Sequence, residues 1–229
     1  MGAIDDNASA RAQVLEKVRA ALGRSGDRGA AMASARAYVA AQAQGPRPAM
    51  PADLITRFMQ RATDMESTVE RIASLALLPK AVARYVDALD LAPALAEQKS
   101  NRGVCWPEFA GLDWEGAGLA IEPRPTQGQD RLGITGAFCA VAETGTLVIA
   151  SGAASPTATM LLPDTHVAVV HPERIVAGME EAFALVRGAG GGMPRAVNFV
   201  SGPSRTGDIE QTIVVGAHGP FRVHIVLVG

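Results

Sequence analysis

The sequence predicts an open α/β fold: a sheet with helices on both faces, preceded by an amino-terminal helical arm. Three observations lead there. Apolar, β-branched runs at Thr146–Ala150, Thr165–Val170 and Arg222–Val228 have the length of buried strands. Helical patterns stand between the strand patterns, as in a chain that crosses back over its own sheet. A length of 229 residues, with 48% hydrophobic and 19% charged residues, supports a substantial core.

The elements follow in order. Residues 8–22 set Val14, Leu15, Val18 and Leu22 at helical spacing, with Asp5 and Asp6 suited to the positive helix end and Gly23 to the stop. That narrow stripe calls for a partner, either the protein's own body, a second copy of the chain or another protein. Residues 23–45 are rich in Ala, Arg, Gly and Ser, and prolines follow at 46, 48 and 51, which predicts a flexible connector holding a helical piece over 30–42. The chain therefore divides into an arm and connector, 1–50, and a compact α/β domain, 51–229. Pro51 suits the first turn of a helix whose inward face is Leu54, Phe58 and Met59. Residues 67–73 predict a strand, and Pro79 opens a helix that repeats Val82, Tyr85, Val86 and Leu89 on one face. Short strands are expected at 101–106 and 118–122, with a polar loop over 123–130. Residues 138–142 and 146–150 read as a hairpin turning at Glu143-Thr144-Gly145. After the strand at 165–170, a helix is expected over 172–186, then strands at 196–200 and 222–228. The glycines over 188–192 follow a helix, fail the GxGxxG spacing at Met193 and lack the Lys-Ser/Thr ending of a phosphate loop. They predict a flexible connection.

Composition removes several classes of function. A net charge of −2 gives no general reason to bind nucleic acid or anionic lipid. No apolar run is long enough to span a bilayer, and the start MGAIDDNASARAQ carries two acids where a signal peptide has a basic flank, so a cytoplasmic protein is expected. Cys105 and Cys139 are the only cysteines; they build neither CxxC nor a four-ligand cluster, and buried thiols are expected. His166 and His171 lack the spacing of a helical metal pair, so no metal site is assigned.

Three polar concentrations remain. Glu143, with Thr144 and Gly145, offers an acid at the mouth of a core, or simply solvates a turn. Ser201, Gly202, Ser204, Arg205, Thr206 and Asp208 follow a predicted strand and lead toward an expected helix start. Backbone N–H groups, hydroxyls and a guanidinium there suit a carboxylate or phosphate. The other reading makes Asp208 a helix cap and pairs Arg205 with Glu210 or another acid. His218, beside Gly219, has room for a ligand on its ring and is of the residue type that exchanges protons, or bonds the backbone of its own turn.

Taken together, GITGAFCAVAETGTL, LLPDTHVAVVHPERIV, SGPSRTGDIE and GAHGPFRVHIVLVG resemble the LUD family, with SARAQVLEKVRAALG as its short amino-terminal helix. The resemblance covers essentially the whole chain and is strongest from Gly133 onward. It implies a fold similar to the ribose-5-phosphate isomerase and CoA-transferase superfamily. It also implies a non-redox role in oxidising L-lactate to pyruvate beside a cysteine-rich subunit and an iron–sulfur subunit. No cofactor is then expected in this chain, and the iron–sulfur clusters belong to a partner. Ala142-Glu143-Thr144-Gly145 is similar to the Ser-Glu-Asn-Gly signature of class I CoA-transferases, whose Glu forms a covalent thioester; here Ala and Thr replace the Ser and Asn. That similarity makes Glu143 the candidate catalytic residue, and it keeps open a free-standing enzyme acting on an acyl-CoA or a phosphorylated sugar acid. The competing reading is a pocket that recognises a small acid through Arg205, Thr206 and His218, with Glu143 orienting a hydroxyl.

Overall fold

The computed structural model describes residues 3–23, 28–89, 101–190, 192–209, 212–216 and 218–229. The chain forms two compact units, 1–48 and 49–229. The first holds helices α1 (Ala3–Ala21) and α2 (Arg28–Ala41). Its stripe residues Val14, Val18 and Leu22 are exposed, as are Met32, Tyr38 and Val39 of α2.

The second unit opens with α3 (Leu54–Asp64). Asp53 rather than Pro51 starts this helix, its carboxylate accepting the Thr56 N–H at 3.0 Å. Phe58 and Ala62 are buried on its inner face. Then come β1 (Thr68–Ile72), α4 (Leu78–Asp87), β2 (Arg102–Cys105), β3 (Ala120–Glu122), β4 (Leu132–Gly136), β5 (Cys139–Val141) and β6 (Thr146–Ala150). The chain continues through α5 (Ala158–Leu161), β7 (Thr165–Val170), β8 (Ile175–Val176), α6 (Met179–Gly188), β9 (Val197–Val200), β10 (Arg205–Ile209), β11 (Thr212–Val215) and β12 (Arg222–Val228).

Six strands form a parallel sheet in the order β1-β12-β7-β4-β2-β3. A second, four-stranded sheet runs β8-β5-β6-β9, and β10 pairs with β11 as a separate hairpin. Alternation along β12 shows the layers. Val226 and Val228 face Leu78, Val82 and Val86 of α4, whereas Val223, Ile225 and Leu227 face Phe58 and Ala62 of α3 and Leu147 of the second sheet. Helix α6 covers the far side of that second sheet, burying Ala182 and Val186 against Cys139, Val141 and Val148. At the edge of the large sheet, His224 of β12 holds β1 in register through Thr68 Oγ1 at 2.8 Å and Glu70 Oε1 at 3.1 Å, with the Tyr85 ring stacked on it. Among the described residues, no helix is long and apolar enough to cross a membrane.

The element reading changes in three places. The expected helix over 172–186 is a 3₁₀ turn at Pro172–Arg174, then β8, with α6 starting only at Met179. Ile175 and Val176 are drawn into strand pairing with Ala140 and Val141, and Glu181 caps the new start by accepting the Gly178 N–H at 2.9 Å. The helix start expected after Ser201 is strand β10, because Arg205 and Thr206 pair with Val215 and Val214 of the β-branched run in β11. Lastly, Leu132–Gly136 is an interior strand of the large sheet, although its two glycines give it little strand character. Gly133 is required there because a side chain would collide with the Thr159 carbonyl.

Candidate functional site

Most of the polar residues singled out by sequence lie around the end of α3. Glu143-Thr144-Gly145 is the turn between β5 and β6, where the Glu143 N–H donates to Ala177 O at 3.0 Å. Gly145, at φ +69°, lets the turn press onto the backbone of Arg61 and Ala62. A chain of hydroxyls runs from Thr144 to Thr146 at 2.7 Å and from Thr146 to Ser201 at 2.6 Å, tying the turn to the end of β9. Gly202, at φ +78°, closes onto the Met65 carbonyl, and Arg205 forms an ion pair with Glu66. Ser204 belongs to a second knot, accepting the Gly216 N–H at 2.8 Å and donating its own to Pro220 O at 2.9 Å, with Gly219 against its side chain. Thr206 is half-buried on β10, His218 is exposed, and the side chain of Asp208 lies outside the described ones. Among the described residues, no hydrogen bond or ion pair joins Glu143, Arg205 and His218 to one another.

From β2 the chain moves outward to β3, while from β4 it moves the other way to β7. Trp106, Phe109 and Trp114 follow β2 onto the α4 face, whereas Ala140, Ala142 and Leu147 follow β4 onto the opposite one. The two connections therefore diverge at the carboxyl ends of β2 and β4, the place where open α/β sheets form ligand crevices. A cavity of about 220 Å³ lies there, lined by Trp106, Glu108, Gly136, Phe138, Ser155 and His171 among others.

Each wall of this cavity is fixed by local bonding. The Trp106 N–H donates to Ile134 O at 3.0 Å and its indole to Pro156 O at 3.2 Å. Pro107 then opens a 3₁₀ turn that lifts Glu108 over β4, braced by the Trp114 indole on Phe109 O at 2.9 Å. Gly136 has no Cβ, and the Glu108 carboxyl occupies the space a Cβ would fill. His171 ends β7 with a half-exposed ring, 4.0 Å from the Glu173 carboxylate. Burial raises the Glu108 pKa above the usual carboxylate range, while His171 and the Gly136 N–H pull it back down. Cys105, beneath the turn, is pushed up to about 11 by burial and by Glu108. Sequence reasoning missed Trp106, Glu108, Gly136, Phe138 and Ser155 as site residues and weighed His171 only as a metal ligand. The available signal was the pattern strand, then Pro beside an ionisable residue, at Trp106-Pro107-Glu108 and His171-Pro172.

A second polar cleft, of about 250 Å³, lies among Arg102, Glu122, Arg124, Asp130 and Arg131. Arg124 binds Asp130 and Glu122, and Arg131 binds Asp164 at 2.8 Å, so that much of its charge is neutralised internally.

The LUD domain profile matches residues 86–228. The chain belongs to the LUD domain family. The match takes in the cavity and the polar turns, while α1 to α3 and β1 precede it. Among curated proteins, this LUD chain is 40% identical over 100 residues to Lactate utilization protein C 1 of Bacillus mycoides, covering 42% of this chain and 43% of that protein. It is 34% identical over 127 residues to Lactate utilization protein C of Bacillus licheniformis, covering 54% and 53%. The protein of that name from Bacillus subtilis is 35% identical over a segment of the same length. The matched segments thus span about half the length of these relatives. Among solved structures, the crystal structure of a DUF162 family protein from Deinococcus radiodurans superposes with a TM-score of 0.51 at 26% identity, covering 80% of this chain and all of that one.

Proposed function

We propose that this LUD protein serves L-lactate utilization as a non-redox component, acting with cysteine-rich and iron–sulfur partner subunits that oxidise L-lactate to pyruvate. The observation that carries this reading is its likeness to proteins named Lactate utilization protein C. The chain's own chemistry agrees with it. Cys105 and Cys139 are buried and both are pushed up to about 11 by burial, so neither is a ready thiolate for holding a metal cluster or exchanging electrons. A cavity smaller than the roughly 300–1,000 Å³ of drug-sized pockets suits an acid of a few carbons. Within the proposal, Arg205, Thr206 and His218 contact a small anion once Arg205 leaves Glu66, and Ser201, Gly202, Ser204 and Gly219 shape the surrounding loops. Asp208 completes that set, and Glu143 with Thr144 and Gly145 orients a hydroxyl or a partner's donor.

The test is growth of a deletion strain on L-lactate as sole carbon source, complemented by wild type or by Glu143→Gln. A growth defect rescued by both supports the lactate role without Glu143 chemistry, and rescue by wild type alone makes Glu143 part of a working site. Normal growth of the uncomplemented strain, or turnover of an acyl-CoA or phosphorylated sugar acid by the purified chain alone, overturns the proposal in favour of a free-standing enzyme.

A further inference from the structure

We propose that the cavity at the ends of β2, β4 and β7 is a proton-transfer site for a small 2-oxo acid, with Glu108 and His171 as its acid–base pair. The choice of acid rests on the lactate reading; the acid–base pair rests on geometry.

Three polar side chains line the cavity: Glu108, Ser155 and His171, besides the Trp106 indole. Ser155 donates to Ala150 O at 3.0 Å and the indole is held by Pro156, so neither has a proton to offer a ligand. Glu108 accepts from the Gly136 N–H, which leaves it most of the roughly four acceptor positions of a carboxylate. Among the described residues, His171 has only the Glu173 carboxylate as an ion-pair partner, at 4.0 Å, too far for a hydrogen bond. Glu108 and His171 are therefore the cavity groups with spare capacity, and they attract each other across it. Partial loss of water around Glu108 makes it a stronger base than an ordinary surface carboxylate. A positive charge stands behind the Phe138 wall, close enough to attract the ligand's own carboxylate. Arg174 donates Nε to Phe138 O at 2.9 Å and lies 4.9 Å from the centre of that ring, which fixes a permanent positive charge there.

With Glu108 ionised and His171 protonated, the step balances without a redox partner. Glu108 takes a proton from the carbon next to the keto group, and the electron pair of that C–H bond becomes the C=C bond. The carbonyl π pair takes a proton from His171, giving the enol. Reversal returns the carbon proton from the Glu108 carboxylic acid and the oxygen proton to His171. Because the protonated Glu108 exchanges with solvent, deuterium oxide labels the methyl group of pyruvate while nothing is oxidised or reduced.

The experiment follows the methyl proton signal of pyruvate in deuterium oxide by nuclear magnetic resonance, with the full chain and no partners. The expected result is signal loss at least tenfold faster than in buffer. Glu108→Gln is expected to bring it down to nearly the rate in buffer. Gly136→Ala, which displaces the Glu108 carboxyl from its place, should do the same in a protein that melts normally. His171→Asn should lower the rate by leaving the enol oxygen without its proton donor, and Arg174→Gln should raise the pyruvate concentration needed for half-maximal exchange. Exchange at the buffer rate with wild type, or wild-type exchange in both Glu108→Gln and Gly136→Ala, overturns the proposal. Either result leaves the growth phenotype on lactate untouched, whereas a strain that grows normally without this gene sinks the lactate reading and leaves the exchange measurement standing.

Discussion

Gly202 and Gly136 each sit against a neighbour, and one added methyl group has very unequal consequences at the two. At Gly202 the obstacle is the Met65 carbonyl, part of the backbone at the end of α3, and φ is +78°. At Gly136 the obstacle is the carboxyl end of Glu108, a flexible side chain that can swing into solvent. Polar groups around the first glycine are engaged with one another: Thr144, Thr146 and Ser201 in a chain, Arg205 with Glu66. Around the second they line an open cavity. Residue type alone does not separate a bonded framework from an open site; the identity of the nearest atom does.

The sharpest way to break this contrast is to make the same substitution twice. Gly202→Ala should cost about 3 kcal/mol or more in urea unfolding, through left-handed strain and a backbone clash. Gly136→Ala should cost under about 1 kcal/mol by the same measurement; equal losses would erase the distinction. Of similar size is a pH effect within the large sheet, where buried His166 of β7 meets Thr135 Oγ1 of β4 at 2.8 Å. Burial lowers its pKa from 6.5 to about 4. As pH falls through this window the unfolded chain takes up a proton that the folded chain refuses, so stability falls, by about 3 kcal/mol in all at roughly 1.4 kcal/mol per pH unit. Above pH 6.5 the contribution is constant. His166→Gln should flatten that part of the stability profile, and an unchanged acid slope would assign it to other groups.

Next comes Arg205→Ala, expected to weaken binding of a small carboxylate or phosphate by about 1.5–3 kcal/mol. Its effect on melting should stay under about 1 kcal/mol, since the ion pair with Glu66 is largely exposed. Unchanged affinity in calorimetric titration would leave Arg205 to the framework alone. Smallest of all, removing residues 1–48 should not alter the cooperative melting of the second unit; loss of a single transition would make the arm structural.

How much of this was legible in the sequence depended on where the deciding interaction lies. Strands β7 and β12 are runs of Val, Ala, Ile and Leu, buried on both faces, and their character is local. Strand β4 reads Leu-Gly-Ile-Thr-Gly because the Thr159 carbonyl and the Glu108 carboxyl occupy the space of two side chains, a requirement imposed from elsewhere in the chain. Strand β8 was hidden inside a helix-like pattern, and its pairing with β5 across 35 residues outweighed that pattern. The turn at Glu143-Thr144-Gly145 was legible as a hairpin. Glu108 was not legible as a site residue, being one acid among aromatics until β2 and β4 are known to be neighbours.

The register of β1 on β12 has a further consequence, for the order of events in folding. Thr68 bonds His224 across 156 residues, so the strand that begins the large sheet has no place on it until the last one has formed. Contacts of such long range close slowly. During synthesis β1 therefore waits as a detached segment, and the sheet is completed only after its final strand has left the ribosome.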